Sequence, residues 1–313
     1  MLKTDRTSDK PTRDEPTWLK IFHLLRWNKP EGRLILMLPA LWAVFLASDG
    51  YPNWILVGII ILGSLATSAA GCVVNDLWDR NIDPRVERTK KRPLASRALS
   101  IQVGIGVMFV AFLCAYGLTL FLNPLTFWLC VAAVPVIVIY PAMKRVFPIP
   151  QLVLAIAWGF AVLISWTAVS CHGMNTGDNV TACLPQPMWL LWGATVLWTL
   201  GFDTVYAMSD RADDQRIGVK SSALFFGAFA PQAIGVFYTA TALVLAKLGW
   251  VLQLGGAFWL SWAIALLVWV WQYIQLTTPI LPHGFYATGF RQNVGIGFVL
   301  LAGMIAGCWL RGS

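Results

Sequence analysis

Residues 54–97 read WILVGIIILGSLATSAAGCVVNDLWDRNIDPRVERTKKRPLASR, an apolar run that turns abruptly into a burst of charge. From Asn75 to Arg97 eleven of 23 residues are charged, whereas the whole chain is only 12% charged. Residues 54–74 are long enough to cross a bilayer, for which about 20 apolar residues suffice. The charges thus collect at one end of a spanning helix, acids first and bases after them.

The rest of the chain repeats the apolar half of this pattern. The 313 residues are 58% hydrophobic and include 17 Trp, far from the make-up of an average soluble domain. Backbone groups in lipid must be satisfied within their own segment, so each apolar run reads as a helix. The runs predict spans at 34–50, 54–74, 101–123, 125–142, 150–170, 188–208, 222–245, 252–275 and 293–310. The expected fold is all-α: a multi-pass integral membrane protein with nine transmembrane helices over residues 18–313. Residues 1–17 are polar and mixed in charge, which predicts a disordered cytoplasmic tail. The first span starts too late for a cleaved signal peptide, and Asp5, Asp9, Asp14 and Glu15 argue against an acid-poor transit peptide. A bacterial cell (inner) membrane is therefore the expected location.

A net charge of +8 would suggest nucleic acid in a soluble protein. In a membrane protein the positive-inside rule accounts for it, and no nucleic-acid partner is expected. With the N-terminus in the cytoplasm, 21 of the 23 Lys and Arg fall on the cytoplasmic side; only Lys247 and Arg311 do not. Cys72, Cys114, Cys130 and Cys308 lie in or beside apolar runs and read as packing. Cys171 and Cys183 flank the outer loop, where an oxidising compartment would allow a disulfide, and the spacing leaves both states open. Asn179-Val180-Thr181 is a formal glycosylation sequon. His23, His172 and His283 are scattered and show no zinc-ligand spacing.

The acids carry the chemistry. Asp76, Asp79 and Asp83 fall at i, i+3 and i+7, one face of a continuing helix, with Asn75 beside them. Like charges on one face require a cation. Oxygen ligands suit Mg2+, which takes one or two carboxylates and completes its shell with phosphate and water. Arg85, Arg88, Lys90, Lys91 and Arg92 would then meet phosphate oxygens, for which Arg is well shaped. A second set follows in LGFDTVYAMSDRADDQRIGVKSSAL. Asp203, Tyr206, Asp210, Asp213 and Asp214 again share a helical face at a cytoplasmic helix end, and Lys220 trails them. Asp203 lies inside a span, where an acid is a functional-site candidate by default. Two carboxylate faces across a cavity can hold metal ions with a diphosphate between them. A transporter path or an intramembrane aspartyl protease would also use buried acids, but neither needs the trailing bases.

NDLWDRNID resembles the NDxxDxxxD signature of the UbiA superfamily of membrane prenyltransferases. VERTKKRPLAS, YPAMKRVFPIPQ at 140–151, YAMSDRADDQRIGVKS at 206–221, FRQN at 290–293 and WNKPEGRLILMLPALWA at 27–43 resemble its 4-hydroxybenzoate polyprenyltransferase branch. One position departs: Arg97 stands where the family often has Gly. The outer loop 171–187 is also long for the branch, across the membrane from the expected site. The resemblance implies a UbiA-like fold, nine helices around a central cavity open to lipid. It implies Mg2+-dependent transfer of a polyprenyl group from polyprenyl diphosphate to the ring of 4-hydroxybenzoate, on the way to ubiquinone or plastoquinone. Homogentisate, dihydroxynaphthoate and haem are the alternative acceptors within the superfamily, and a membrane carrier is the non-enzymatic one. Carried over by residue, Asn75, Asp76, Asp79 and Asp83 would hold one Mg2+–diphosphate face, and Asp210 and Asp214 the other. Arg88, Arg92 and Lys220 would contact diphosphate. Arg145 would meet the benzoate carboxylate, and Asp203 and Tyr206 would steer the acceptor.

Overall fold

The computed structural model describes residues 15–173, 180–278, 281 and 284–311. Residues 1–14 of the expected tail, Asn179 of the sequon and His283 lie outside them. Twelve α-helices run in order: α1 (Thr17–Leu24), α2 (Glu31–Ala47), α3 (Trp54–Trp78), α4 (Ile101–Thr119), α5 (Pro124–Val146), α6 (Pro150–Ser170), α7 (Gln186–Met208), α8 (Arg211–Ile217), α9 (Ser222–Phe226), α10 (Ala230–Val251), α11 (Gly256–Thr277) and α12 (Phe285–Trp309). No strand occurs among the described residues. Nine helices of 17 residues or more coincide with the nine expected segments, and seven spans meet both the length and the apolarity needed to cross a membrane.

Local chemistry sets the helix starts. The side chain of Asn53 accepts from the amides of Ile55 and Leu56, Ser100 from Val103, and Asn123 from Thr126, so three helices begin on capped amides. Two expected boundaries shift. The span at 222–245 is broken after Phe226, because Gly227 takes a φ of +55° and Pro231 opens a new helix. Proline lacks the amide that a helix interior needs, so it starts α10 rather than continuing α9. The last span starts at Phe285 rather than 293, so Arg291 lies inside α12.

One half of the bundle is solid. Trp42, Trp198, Phe202, Trp269 and Leu300 join α2, α6, α7, α10, α11 and α12 in one buried cluster. The α11–α12 contact is close at Gly303, where an added Cβ would lie 1.8 Å from Ser261 Oγ and 2.3 Å from Ser261 Cβ. Ser261 Cβ cannot swing away, so Gly303→Ala is expected to destabilise the fold by about 1–3 kcal/mol. Thermal unfolding in detergent reads this as a lowered midpoint.

The other half is hollow. α2, α3, α4, α5, α6, α7 and α12 surround a cavity of about 1200 Å³. It reaches from Asp79 and Lys144 at one end to Leu122 and Cys130 at the other. On α5 that is 14 residues, about 21 Å at 1.5 Å per residue. The outward faces of α4 and α5 expose Ile105, Phe109, Leu113 and Trp128, as lipid contact requires. Cys171 and Cys183 form a disulfide with Cα atoms 5.4 Å apart, which decides the question the spacing left open.

Candidate active site

The acids gather where α3, α5 and α7 end. α3 stops at Trp78, so the expected continuous face does not form. Pro84 disfavours helix at Asp83, and a 3-10 turn at Asp83–Arg85 replaces it. Tight turns still hold the set together, because the amide of Asp83 donates to the Asp79 carbonyl at 2.8 Å. Asp76, Asp79 and Asp83 are 1%, 2% and 5% exposed.

Buried carboxylates need positive partners. Arg26 donates to Asp76 at 2.7 Å. Arg92 bridges Asp76 at 3.1 Å and Asp83 at 2.9 Å. Lys144 donates to Asp79 at 2.7 Å and to Asn75 Oδ1 at 3.2 Å. Burial pushes the Asp83 carboxyl up, opposed by Arg92 and reinforced by Asp76 and Asp79.

The second set is also broken, since α7 ends at Met208 and Asp210 precedes α8. Asp203, Tyr206, Asp210 and Asp214 line the cavity, as do Asn75, Arg88, Arg92 and Lys220. Arg88 Nε lies 3.0 and 3.1 Å from the two oxygens of Asp210, and its Nη1 donates to Tyr206 at 3.0 Å. Arg88 thereby ties the loop after α3 to the end of α7. Burial, with repulsion from Asp210, pushes Asp214 up to about 6 despite its hydrogen bond with Ser221. Lys220 Nζ rests on the Val146 carbonyl at 2.8 Å.

Two expectations change. Arg145 is not on the cavity wall. It donates to the carbonyls of Trp78 at 2.8 Å and Pro141 at 3.1 Å and approaches Asp79 at 3.4 Å, so it pins the end of α3. Asp213 is off the wall as well: it accepts from the Glu87 amide at 3.0 Å and from Arg216 at 2.9 Å, and Arg216 also holds the Arg85 carbonyl. Arg26 and Lys144 went unrecognised in the sequence. Lys144 stood beside Arg145 in YPAMKR, but nothing local shows which of two adjacent bases faces inward.

No three acidic groups among the described residues converge closely enough to cage a metal alone. The donor set of carboxylates and one amide oxygen is of the kind that Mg2+ takes, together with phosphate and water.

A long cavity with apolar walls and two acidic sets at one end defines a class: polytopic helical membrane proteins with a buried acidic site. A UbiA homologue from Aeropyrum pernix has this fold, with a TM-score of 0.76 and 25% identity over 87% of this chain and 96% of that one. The chain belongs to the UbiA prenyltransferase family, whose family model matches residues 36–308. It is 65% identical to a 4-hydroxybenzoate solanesyltransferase of Synechocystis sp. over 94% of this chain and 97% of that protein. It is 40% identical to a 4-hydroxybenzoate octaprenyltransferase of Yersinia pseudotuberculosis over 93% and 97%. An Archaeoglobus fulgidus UbiA homologue bound to GPP and Mg2+ shares the fold, with a TM-score of 0.65 and 17% identity over 90% of this chain and 99% of that one.

Proposed function

We propose that this protein transfers a polyprenyl group from polyprenyl diphosphate to 4-hydroxybenzoate, at the ring carbon ortho to the hydroxyl, in the making of a membrane quinone. The observation that carries this reading is the pairing of two acid faces, Asp76/Asp79/Asp83 and Asp210/Asp214, at the head of one lipid-sized cavity. The 4-hydroxybenzoate relatives supply the acceptor.

The diphosphate head enters between the faces, with Asn75, Asp76, Asp79, Asp83, Asp210 and Asp214 as the metal-holding set. That set would hold Mg2+, which would supply charge neutralisation for the leaving diphosphate. Arg88, Arg92 and Lys144 exchange their carboxylate partners for phosphate oxygens, and Lys220 leaves a carbonyl to do the same. These donors stabilise the departing group as the allylic C1–O bond breaks. The apolar walls hold the isoprenoid tail and keep water from the cation-like carbon. The ring attacks that carbon through its ortho position, and loss of the ring proton restores aromaticity. By the charge rule, the acid faces lie on the cytoplasmic side of a bacterial membrane.

Membranes containing the protein are expected to move radiolabelled 4-hydroxybenzoate into the organic phase only with Mg2+ and a polyprenyl diphosphate. EDTA should abolish the transfer and added Mg2+ restore it. Absence of transfer, with the protein shown to be present, would overturn the acceptor assignment; homogentisate and dihydroxynaphthoate would then be assayed.

A further inference from the structure

One cation of the cavity is buried without any hydrogen-bonding partner among the described residues. Arg33, in the first turn of α2, is 3% exposed, yet among the described residues its Nε, Nη1 and Nη2 find no hydrogen-bond partner. Its guanidinium lies over the Trp27 ring, 4.0 Å from the centroid. The ring takes none of its N–H groups, which stay buried and unpaired. Arg33 forms part of the cavity wall. Its electrostatic neighbours are Cys72 and another cation, Arg26.

An unpaired buried guanidinium is costly unless something else pairs with it. Arg26, Arg88, Arg92 and Lys144 each hold an acid that a metal-bound diphosphate can replace. Arg33 holds none, so it is available to an anion that arrives with substrate. The reaction brings two anions into the cavity. The diphosphate belongs between the acid faces, which leaves the carboxylate of the aromatic acid. A planar carboxylate matches the two parallel N–H bonds of a guanidinium fork.

We propose that Arg33 anchors the carboxylate of the aromatic acceptor, the role the sequence suggested for Arg145. This rests on the acceptor reading above. Anchored there, the ring lies beside the acid-bound head, with its hydroxyl end free to swing the ortho carbon toward C1 of the donor.

The test is steady-state kinetics of the full-length protein in membranes, varying 4-hydroxybenzoate and polyprenyl diphosphate separately. Arg33→Met should raise KM for 4-hydroxybenzoate about 10- to 100-fold, the range for a lost charged hydrogen bond, with donor KM within about 2-fold of wild type. Its preference for 4-hydroxybenzoate over 4-hydroxybenzamide should collapse, because the neutral amide never used the charge. Arg33→Lys keeps the charge but not the fork and should fall in between; it also serves if the Met variant does not fold. A raised donor KM with unchanged acceptor KM would overturn the proposal and make Arg33 a diphosphate contact. Unchanged KM values and unchanged acid-over-amide preference would overturn it as well. If the wild type itself ignores 4-hydroxybenzoate, the acceptor reading fails first and takes this inference with it, an outcome distinct from failure of the variants alone.

Discussion

Asp79→Ala is expected to lower prenyl transfer by about 10²- to 10³-fold, the scale seen when one element of transition-state charge stabilisation is removed. The protein should still insert and keep its helices. Asp79 is 2% exposed and is held by Lys144 at 2.7 Å and by Arg145 at 3.4 Å. The substitution removes an oxygen ligand from the first face and leaves two bases without their acid. Asp76→Ala and Asp210→Ala should behave alike, the former freeing Arg26 and the latter Arg88. Asp213→Ala is the internal contrast. It faces away from the cavity and braces the 85–87 loop, so the loss should stay within about 10-fold, that of a positioning contact. Turnover by membranes with protein amounts matched by immunoblot measures all four. Near-normal Mg2+-dependent activity in all three cavity variants would sink the metal-face assignment.

Asn293→Leu is expected to give the largest loss of stability. Asn293 is fully buried at the centre of the solid half. Its Oδ1 accepts from Trp198 at 2.9 Å and from Trp269 at 3.1 Å. Its Nδ2 donates to the Gly289 carbonyl at 2.9 Å and to Tyr238 and Gln272 at 3.2 Å each. One side chain therefore ties α7, α10, α11 and α12 together. Leucine would fill the volume but strand two indole N–H groups and a glutamine oxygen in an apolar core. At about 1 kcal/mol for each stranded group the loss is about 3 kcal/mol. The unfolding midpoint in detergent should fall clearly, while the KM values of any protein that remains folded stay near wild type. An unchanged midpoint would show that the network contributes little to stability, as happens when polar groups find other partners within a membrane.

These two substitutions probe different kinds of information. The acid faces were legible in NDLWDRNID and YAMSDRADD, because helical spacing and charge are local and a buried acid stands out in an apolar chain. Their partners were not. Arg26 lies 50 residues from Asp76, and Lys144 lies 65 from Asp79. In YPAMKR the sequence pointed to Arg145 as the inward cation. The structure turns Lys144 inward and spends Arg145 on backbone carbonyls at the end of α3. A one-residue step turns a helix by about 100°, so neighbours face different surroundings, and only the packing of α5 against α3 decides which is which. FRQN stood out in the sequence as a family motif, but four of the five partners of Asn293 come from other helices brought together in space.

By itself, the sequence determined that the chain is helical and lies in a membrane, where its long helices run, and that two acidic sets meet the same surface. Those are properties of hydrophobic run length, period and charge side, which a segment carries wherever it packs. The tertiary structure alone decided that the packed helices leave a cavity, that α3 and α7 end before their acid sets do, that Cys171 and Cys183 pair, and that Arg33 is buried without an acid. These depend on which distant side chains share a volume from which water is excluded. There, each charge must find a counter-charge in the protein or wait for one on the substrate.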